Sequence, residues 1–326
     1  MTAATETQPQ HRVVLTGASG ALGRNFLTLV AGRPEVHVLA LLRDDSRQPP
    51  AQARLESARV DFDDLLMLSR TIEAFKPTCV IHCAATGMSF PKTRWFSLIR
   101  FNVDVSINLC QCVSLLPLCH FIYVSTGLAY RDQSRPLRED DPLDTRHPYG
   151  ASKAAADMLV RSAAAEFGVG LTVLRPFSFT GLWDDRGRLF PTLLRAAANT
   201  GEVDLSPCDQ VRDHCSARDI AAGIVAALES GECGAPEPRI FNLGSADRAP
   251  LRDVITRVVD EIGLDVKLNF GARDYARYEP MFLGADIRSA QEEMNWRPRH
   301  NLAHAVWQLA HESFPQLDVR EPRESI

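Results

Sequence analysis

Short, continuous apolar runs alternate with stretches of helical periodicity through the first half of the chain. Val13–Thr16, Val36–Leu42, Cys79–Ala84, Phe121–Ser125 and Leu171–Arg175 read as strands, with Val60 and Phe62 marking a further short one after the second. Between them the spacing predicts helices over Leu22–Ala31, Leu65–Phe75, Trp95–Leu115 and Pro148–Phe167, the last stopped by Gly168. Strands that are apolar throughout, rather than alternating, and that are separated by helices predict a parallel sheet buried on both faces. After Arg175-Pro176 the pattern loosens. Arg212–Asp219 leads into a helix over Ile220–Leu228, Ile240–Gly244 reads as a strand, and 250–316 as a helix, a strand, a turn and further helices.

Composition narrows the class without choosing a function. The 326 residues are 45% hydrophobic and 24% charged, ordinary for a globular enzyme with a sizeable core. A net charge of −5 points to neither nucleic acid nor an anionic membrane as partner, so an anionic substrate must be met by local arginines. No signal-like or membrane-spanning run is present, and the eight cysteines lack metal-ligand spacing, which predicts reduced core thiols, no metal and a cytoplasmic protein.

The first chemical signal is Thr16-Gly17-Ala18-Ser19-Gly20-Ala21-Leu22-Gly23, set between the first strand and the first helix. In this strand–turn–helix order Gly17 permits the turn, Gly20 lets backbone N–H groups approach a pyrophosphate, and Gly23 lets helix and strand pack closely. The helix N-terminus adds its partial positive charge. The second is Tyr149-Gly150-Ala151-Ser152-Lys153, which puts a phenol and an ammonium one helical turn apart on one face. A nearby cation favours phenolate and brings an otherwise weak acid toward the working range, so Tyr149 can exchange a proton with a carbonyl or alcohol oxygen. An isolated Tyr-x-x-x-Lys is more often just an amphipathic helix surface; the surrounding motifs are what raise it to a site. Ser125-Thr126 closes the fifth strand at the sheet edge where ligands bind, and supplies a hydroxyl beside Tyr149.

Taken together, these pieces resemble the extended short-chain dehydrogenases/reductases, in the nucleotide-sugar epimerase/dehydratase branch. Also matching are His82-Cys83-Ala84-Ala85, Asn102-Val103, Leu174-Arg175-Pro176, Arg212-Asp213 with Asp219, Phe241–Ser245, and Asp286–Ala290 followed by Asn295–Pro298. The resemblance spans about 12–310. It implies an α/β fold with a Rossmann-like, doubly wound parallel sheet in 12–176 with 209–245, a smaller interleaved C-terminal substrate lobe in 177–208 with 246–314, and tails at 1–11 and 315–326. It implies a catalytic set of Thr126, Tyr149 and Lys153, with Ser125 as the neighbouring hydroxyl. For the dinucleotide it implies Gly17, Ser19, Gly20, Ala21, Leu22 and Gly23, then Asp61 on the adenine with Phe62, and Ala84, Ala85, Asn102, Pro176 and Ser178, with Tyr149 and Lys153 at the nicotinamide end. For the substrate it implies Thr86, Ser178, Arg212 and Arg277, the last two where relatives clamp a diphosphate. It also implies a homodimer through the helices at 95–115 and 148–167.

Departures from that pattern choose among reactions. Dehydratases of the branch carry Asp-Glu directly after the catalytic threonine; here Gly127 and Leu128 stand there, and neither can move a proton. What remains is reduction of a 4-keto group on a nucleotide-linked sugar or 4-epimerisation with bound NAD. Past the second strand, apolar Leu41 and Leu42 are followed by Arg43 and Asp44. A guanidinium suits a 2′-phosphate, so NADP is the expected cofactor, although Asp44 leaves NAD open. NADP in turn points to the 4-ketoreductase, with the 4-epimerase as alternative. A reductase of a non-sugar ketone and a cofactor-sensing protein without turnover are the remaining readings.

Overall fold

The computed structural model describes residues 10–43, 47–87, 95–231 and 237–323; residues 1–9, Asp44 and Cys233 lie outside them. The first six strands are β1 (His11–Thr16), β2 (Val36–Leu42), β3 (Leu55–Arg59), β4 (Cys79–His82), β5 (His120–Val124) and β6 (Gly170–Pro176). Then come β7 (Ser178–Thr180), β8 (Glu202–Leu205), β9 (Val211–Ser216), β10 (Arg239–Leu243), β11 (Arg248–Pro250), β12 (Lys267–Phe270) and β13 (Phe282–Leu283). Seven of them form one parallel sheet in the order β10-β6-β5-β4-β1-β2-β3. The order reverses between β1 and β4, and a crevice opens at the C-terminal ends of these two strands.

The helices are α1 (Ala21–Val30), α2 (Leu65–Phe75), α3 (Trp95–Leu98), α4 (Val105–Ser114), α5 (Pro148–Phe167), α6 (Leu189–Asn199), α7 (Ala217–Ser230), α8 (Leu251–Ile262), α9 (Arg288–Glu293) and α10 (Leu302–Ser313). Alternate residues of β1 feed opposite faces. Val13 and Leu15 join Phe26 of α1 and Ile224 of α7 on one side, while Val14 joins Leu68 of α2, Leu109 of α4 and Val160 of α5 on the other. A third apolar cluster lies among α6, α8 and α10, with Val203 and Leu205 of β8. The stretch 315–326, expected as a tail, is anchored in part: Arg320 donates to the carbonyls of Asp260 and Glu261, and its own N–H to that of Ile262.

Two elements differ from the expected ones. The third strand runs over Leu55–Arg59, with Val60 and Phe62 just beyond its end. It is an edge strand with mostly exposed side chains, so it lacks the apolar run that marks the buried strands. The helix expected over 95–115 is α3 and α4 joined by a π-helical turn at Ile99–Asp104. The wider turn holds Asn102, which is fully buried; its amide donates to the Thr86 carbonyl and to Ser152 Oγ at 2.9 Å each, and its oxygen accepts from Thr86 N–H at 2.8 Å. Among the described residues, no helix is long and apolar enough to cross a membrane.

Candidate active site

The crevice between β1 and β4 continues into a cleft of about 750 Å³ that extends to the residues around α6 and β9. Its first wall is the glycine turn, where Gly17, Ser19, Gly20, Ala21, Leu22 and Gly23 all line the space. Gly17 is left-handed (φ 75°), and a Cβ there would lie 2.7 Å from the amide nitrogen of Ala84. At Gly23 a Cβ would collide with the Gly17 carbonyl, the close helix–strand approach that the spacing predicts. Gly20 is different. A Cβ there would touch only the Gly17 carbonyl, at an ordinary 3.4 Å, so the protein itself does not demand glycine. The demand comes from whatever lies in the cleft, which is the fit expected of a pyrophosphate approaching the backbone.

The second wall is assembled by one close contact. Gly150 lets the start of α5 press on the turn at Gly127–Ala129, where any Cβ would strike the Leu128 carbonyl. That contact seats Tyr149 beside Ser125 and Thr126 in the cleft wall. Thr126 Oγ1 accepts from the Leu128 N–H at 3.3 Å, leaving its hydroxyl proton to donate. Ser125 Oγ and Lys153 Nζ are buried polar atoms with no hydrogen-bond partner, as groups awaiting a ligand would be. Lys153 stands behind the wall, its Nζ 4.2 Å from the centre of the Tyr123 ring.

Electrostatics here differ from the expectation that Lys153 lowers the phenol. Burial pushes Tyr149 up to about 12, and the charge that opposes this is Arg188. Burial also pushes Lys153 down to about 7, against the pull of Asp157 and Cys83. Removing both groups from water disfavours their charged forms more than their proximity favours them. Cys83, which also lines the cleft, is pushed up to about 12 by burial and is a poor nucleophile.

The far wall is made of side chains. Arg188, at the start of α6, pairs with Asp184 at 3.4 Å and lies over the Phe179 ring, and Asp184 also accepts from Thr180 Oγ1 at 2.7 Å. Arg212 is buried and paired with Glu279. His147 caps α5, its Nδ1 accepting from Gly150 N–H at 3.3 Å; burial lowers its pKa. Its ring also lines the cleft.

The cleft thus gathers most of the expected residues: the glycine turn, Ala85, Thr86, Ser125, Thr126, Tyr149, Pro176, Ser178 and Arg212. Others stand elsewhere. Ala84 N–H is turned to Thr16 Oγ1 at 3.3 Å, and Asn102 braces Thr86 from behind rather than facing the space. Arg43, Asp61 and Phe62 are not part of the cleft lining; the Arg43 guanidinium sits 4.9 Å over the Phe101 ring, and that ring meets Phe62. Arg277 is exposed and lines a neighbouring cavity with Arg131, Arg146 and Tyr278, while Glu279 and Pro280 border both that cavity and the cleft. Sequence reasoning missed Trp183, Asp184, Arg188 and Glu279; the charged run Asp184-Asp185-Arg186-Gly187-Arg188 was the available signal for two of these.

The chain is similar to known proteins over most of its length. The UDP-glucose 4-epimerase of Corynebacterium glutamicum is 27% identical over 312 residues, covering 89% of this chain and 91% of that one. UDP-glucuronate 4-epimerase 3 of Arabidopsis thaliana is 28% identical over 318 residues, covering 89% and 73% respectively. The structure of the UDP-glucuronic acid 4-epimerase from Bacillus cereus, in complex with UDP-glucuronic acid and NAD, has a TM-score of 0.81 at 22% identity, covering 92% of this chain and 98% of that one. The family model for the NAD dependent epimerase/dehydratase family matches residues 13–244, most of the chain, and the protein belongs to that family.

Proposed function

We propose that this protein is an NAD-dependent 4-epimerase of a nucleotide-linked sugar. The observation that carries this reading is the pairing of a complete Thr126–Tyr149–Lys153 set with a turn that has no second acid. Gly127 is packed so that a Cβ would lie 2.9 Å from the Phe177 ring, leaving no room for a carboxylate where dehydratases hold one. Similarity to UDP-glucose and UDP-glucuronate 4-epimerases moves the weight from the reductase, expected from Arg43, to the epimerase. The NADP preference loses its support in the same way, since the relative from B. cereus was solved with NAD.

In this reading Tyr149 takes the proton from the C4 hydroxyl and returns it to the C4 oxygen, while Thr126 donates a hydrogen bond to that oxygen. Lys153 Nζ and Ser125 Oγ, both without a partner, would meet the cofactor and the substrate oxygen in this reading. A bound nicotinamide would supply reversible hydride exchange with C4 and a positive charge that would favour the phenolate. Burial of Tyr149 keeps water from competing for the transferred proton. Epimerisation needs the sugar to turn over between the two transfers, so the far wall must release and regrip it.

The experiment is to supply UDP-glucose or UDP-glucuronate with NAD and follow both product and absorbance. Appearance of the 4-epimer with no net NADH supports the reading. Stoichiometric oxidation of NADPH by a nucleotide 4-keto sugar, without epimerisation, rejects it in favour of the reductase.

We further propose a homodimer through the segments at 95–115 and 148–167. Phe96 is 70% exposed, Ile99 52%, Met158 48% and Leu159 46%, an apolar surface whose cover by a second copy would remove it from water. A monomer in sedimentation at micromolar concentration would sink this assembly.

A further inference from the structure

Arg212 is the more deeply buried of the two arginines on the far wall, its side chain 7% exposed against 23% for Arg188. Three acceptors hold its guanidinium: the Val211 carbonyl at 2.8 Å, the Pro280 carbonyl at 2.7 Å and the Glu279 carboxylate. The carboxylate also accepts from Gln210 Nε2 at 3.2 Å. Glu279 is carried on a short arm. Tyr275 is tied to Asp209 (its hydroxyl accepts from the N–H at 3.1 Å), and Met281 O accepts from Val211 N–H at 2.9 Å. Residues 276–280 span the gap, turned on the hydrogen bond from Glu279 N–H to Ala276 O. Glu279 borders both the cleft and the neighbouring cavity of about 680 Å³.

We propose that Glu279 is a displaceable internal counter-ion of Arg212 and so sets the affinity for the anionic part of the substrate. An incoming diphosphate takes the guanidinium, and the arm carries the carboxylate toward the neighbouring cavity. The exchange keeps a buried charge partnered throughout, which matters because a buried guanidinium stripped of its carboxylate is strongly unfavourable. It also makes the site selective. A group that offers Arg212 no more than one carboxylate gains nothing by entering, whereas a diphosphate presents more charge and more acceptor oxygens. The counter-ion rests on the nucleotide-sugar reading only for the identity of the anion.

The test is titration calorimetry on the full chain with NAD present, using UDP and, separately, inorganic pyrophosphate. Glu279→Gln keeps the hydrogen bond to Arg212 and removes the charge. It is expected to bind both probes about five- to tenfold more tightly than the wild type, with NAD affinity unchanged. Glu279→Asp, which keeps the charge, should stay near the wild type. Equal or weaker binding of both probes by Glu279→Gln overturns the counter-ion role and leaves the nucleotide reading standing. Tighter pyrophosphate with no UDP binding in either protein supports the counter-ion and rejects the nucleotide reading. Absence of binding for both probes in every variant overturns both.

Discussion

Around Gly17 the wall of the cleft is backbone. Three glycines hold the turn, and two of them are fixed by contacts that a single methyl group would break. Around Arg212 the wall is side chain, with Arg188 on Asp184 and Arg212 on Glu279, each cation already holding a carboxylate. On the proposed reading the first is a rigid, intolerant cofactor end, and the second a substrate end that exchanges partners without moving the frame. A reaction that must grip one dinucleotide through the whole cycle yet let a sugar turn over needs that division.

Tyr149→Phe keeps the ring packing and removes the proton carrier; kcat should fall by about 10²–10⁴-fold with dinucleotide affinity retained, read by steady-state turnover and titration. Loss of cofactor binding together with turnover would mean that Tyr149 belongs to the rigid end instead. Gly23→Ala forces a methyl onto the Gly17 carbonyl and should cost about 1–3 kcal/mol with most dinucleotide binding lost, seen in thermal melts and NAD titration. A melting point and affinity like the wild type's would show that the turn can yield.

Lys153→Met tests a buried charge. The ammonium is held at about 7 in the fold, against an ordinary value of 10.5. Between those values the unfolded chain binds more protons than the folded one, so wild-type stability rises with pH across that window and the penalty is full below about 7. The methionine variant should therefore melt above the wild type below about pH 7, and the gap should close toward pH 10; a gap constant with pH refutes the buried ammonium. The smallest effect is expected at Arg277. Its side chain is exposed and outside the cleft wall, so Arg277→Ala should change UDP affinity by no more than about twofold. A tenfold loss would instead return Arg277 to a clamp on the substrate.

The same contrast explains what could be read in advance. The turn at Gly17–Gly23, the buried strands and α5 were legible because backbone geometry restricts residue type: glycine where a Cβ cannot fit, apolar residues where both sheet faces are covered. The edge strand Leu55–Arg59 was displaced in the reading because one side of it meets no other strand, so its polar side chains carry no pattern. Glu279 was invisible because a carboxylate on an irregular segment says nothing about which guanidinium it will meet 67 positions away. Motif residues can also mislead about role. Arg175 and Asp157 form a buried pair at 2.9 Å, extended through Tyr130 to Asn242. Asp213 accepts from the backbone of Ser245, Ala246 and Ala285. Among these, residues that resemble a signature brace the frame, and the chemistry sits elsewhere. The pKa directions of Tyr149 and Lys153 needed the structure as well, since spacing gives proximity and burial decides its consequence.

The ring of Phe177 against Gly127 bears on how this chain could acquire another trade. A mutation that placed an acid at 127 first would meet the ring and be purged for misfolding before any new chemistry could be selected. The aromatic would have to shrink beforehand, in a background where that change brings no reward. Descent from this sequence toward water elimination is thus an ordered path, the ring at 177 first and then an acid at each of 127 and 128, and a laboratory library that varies position 127 alone will find it closed.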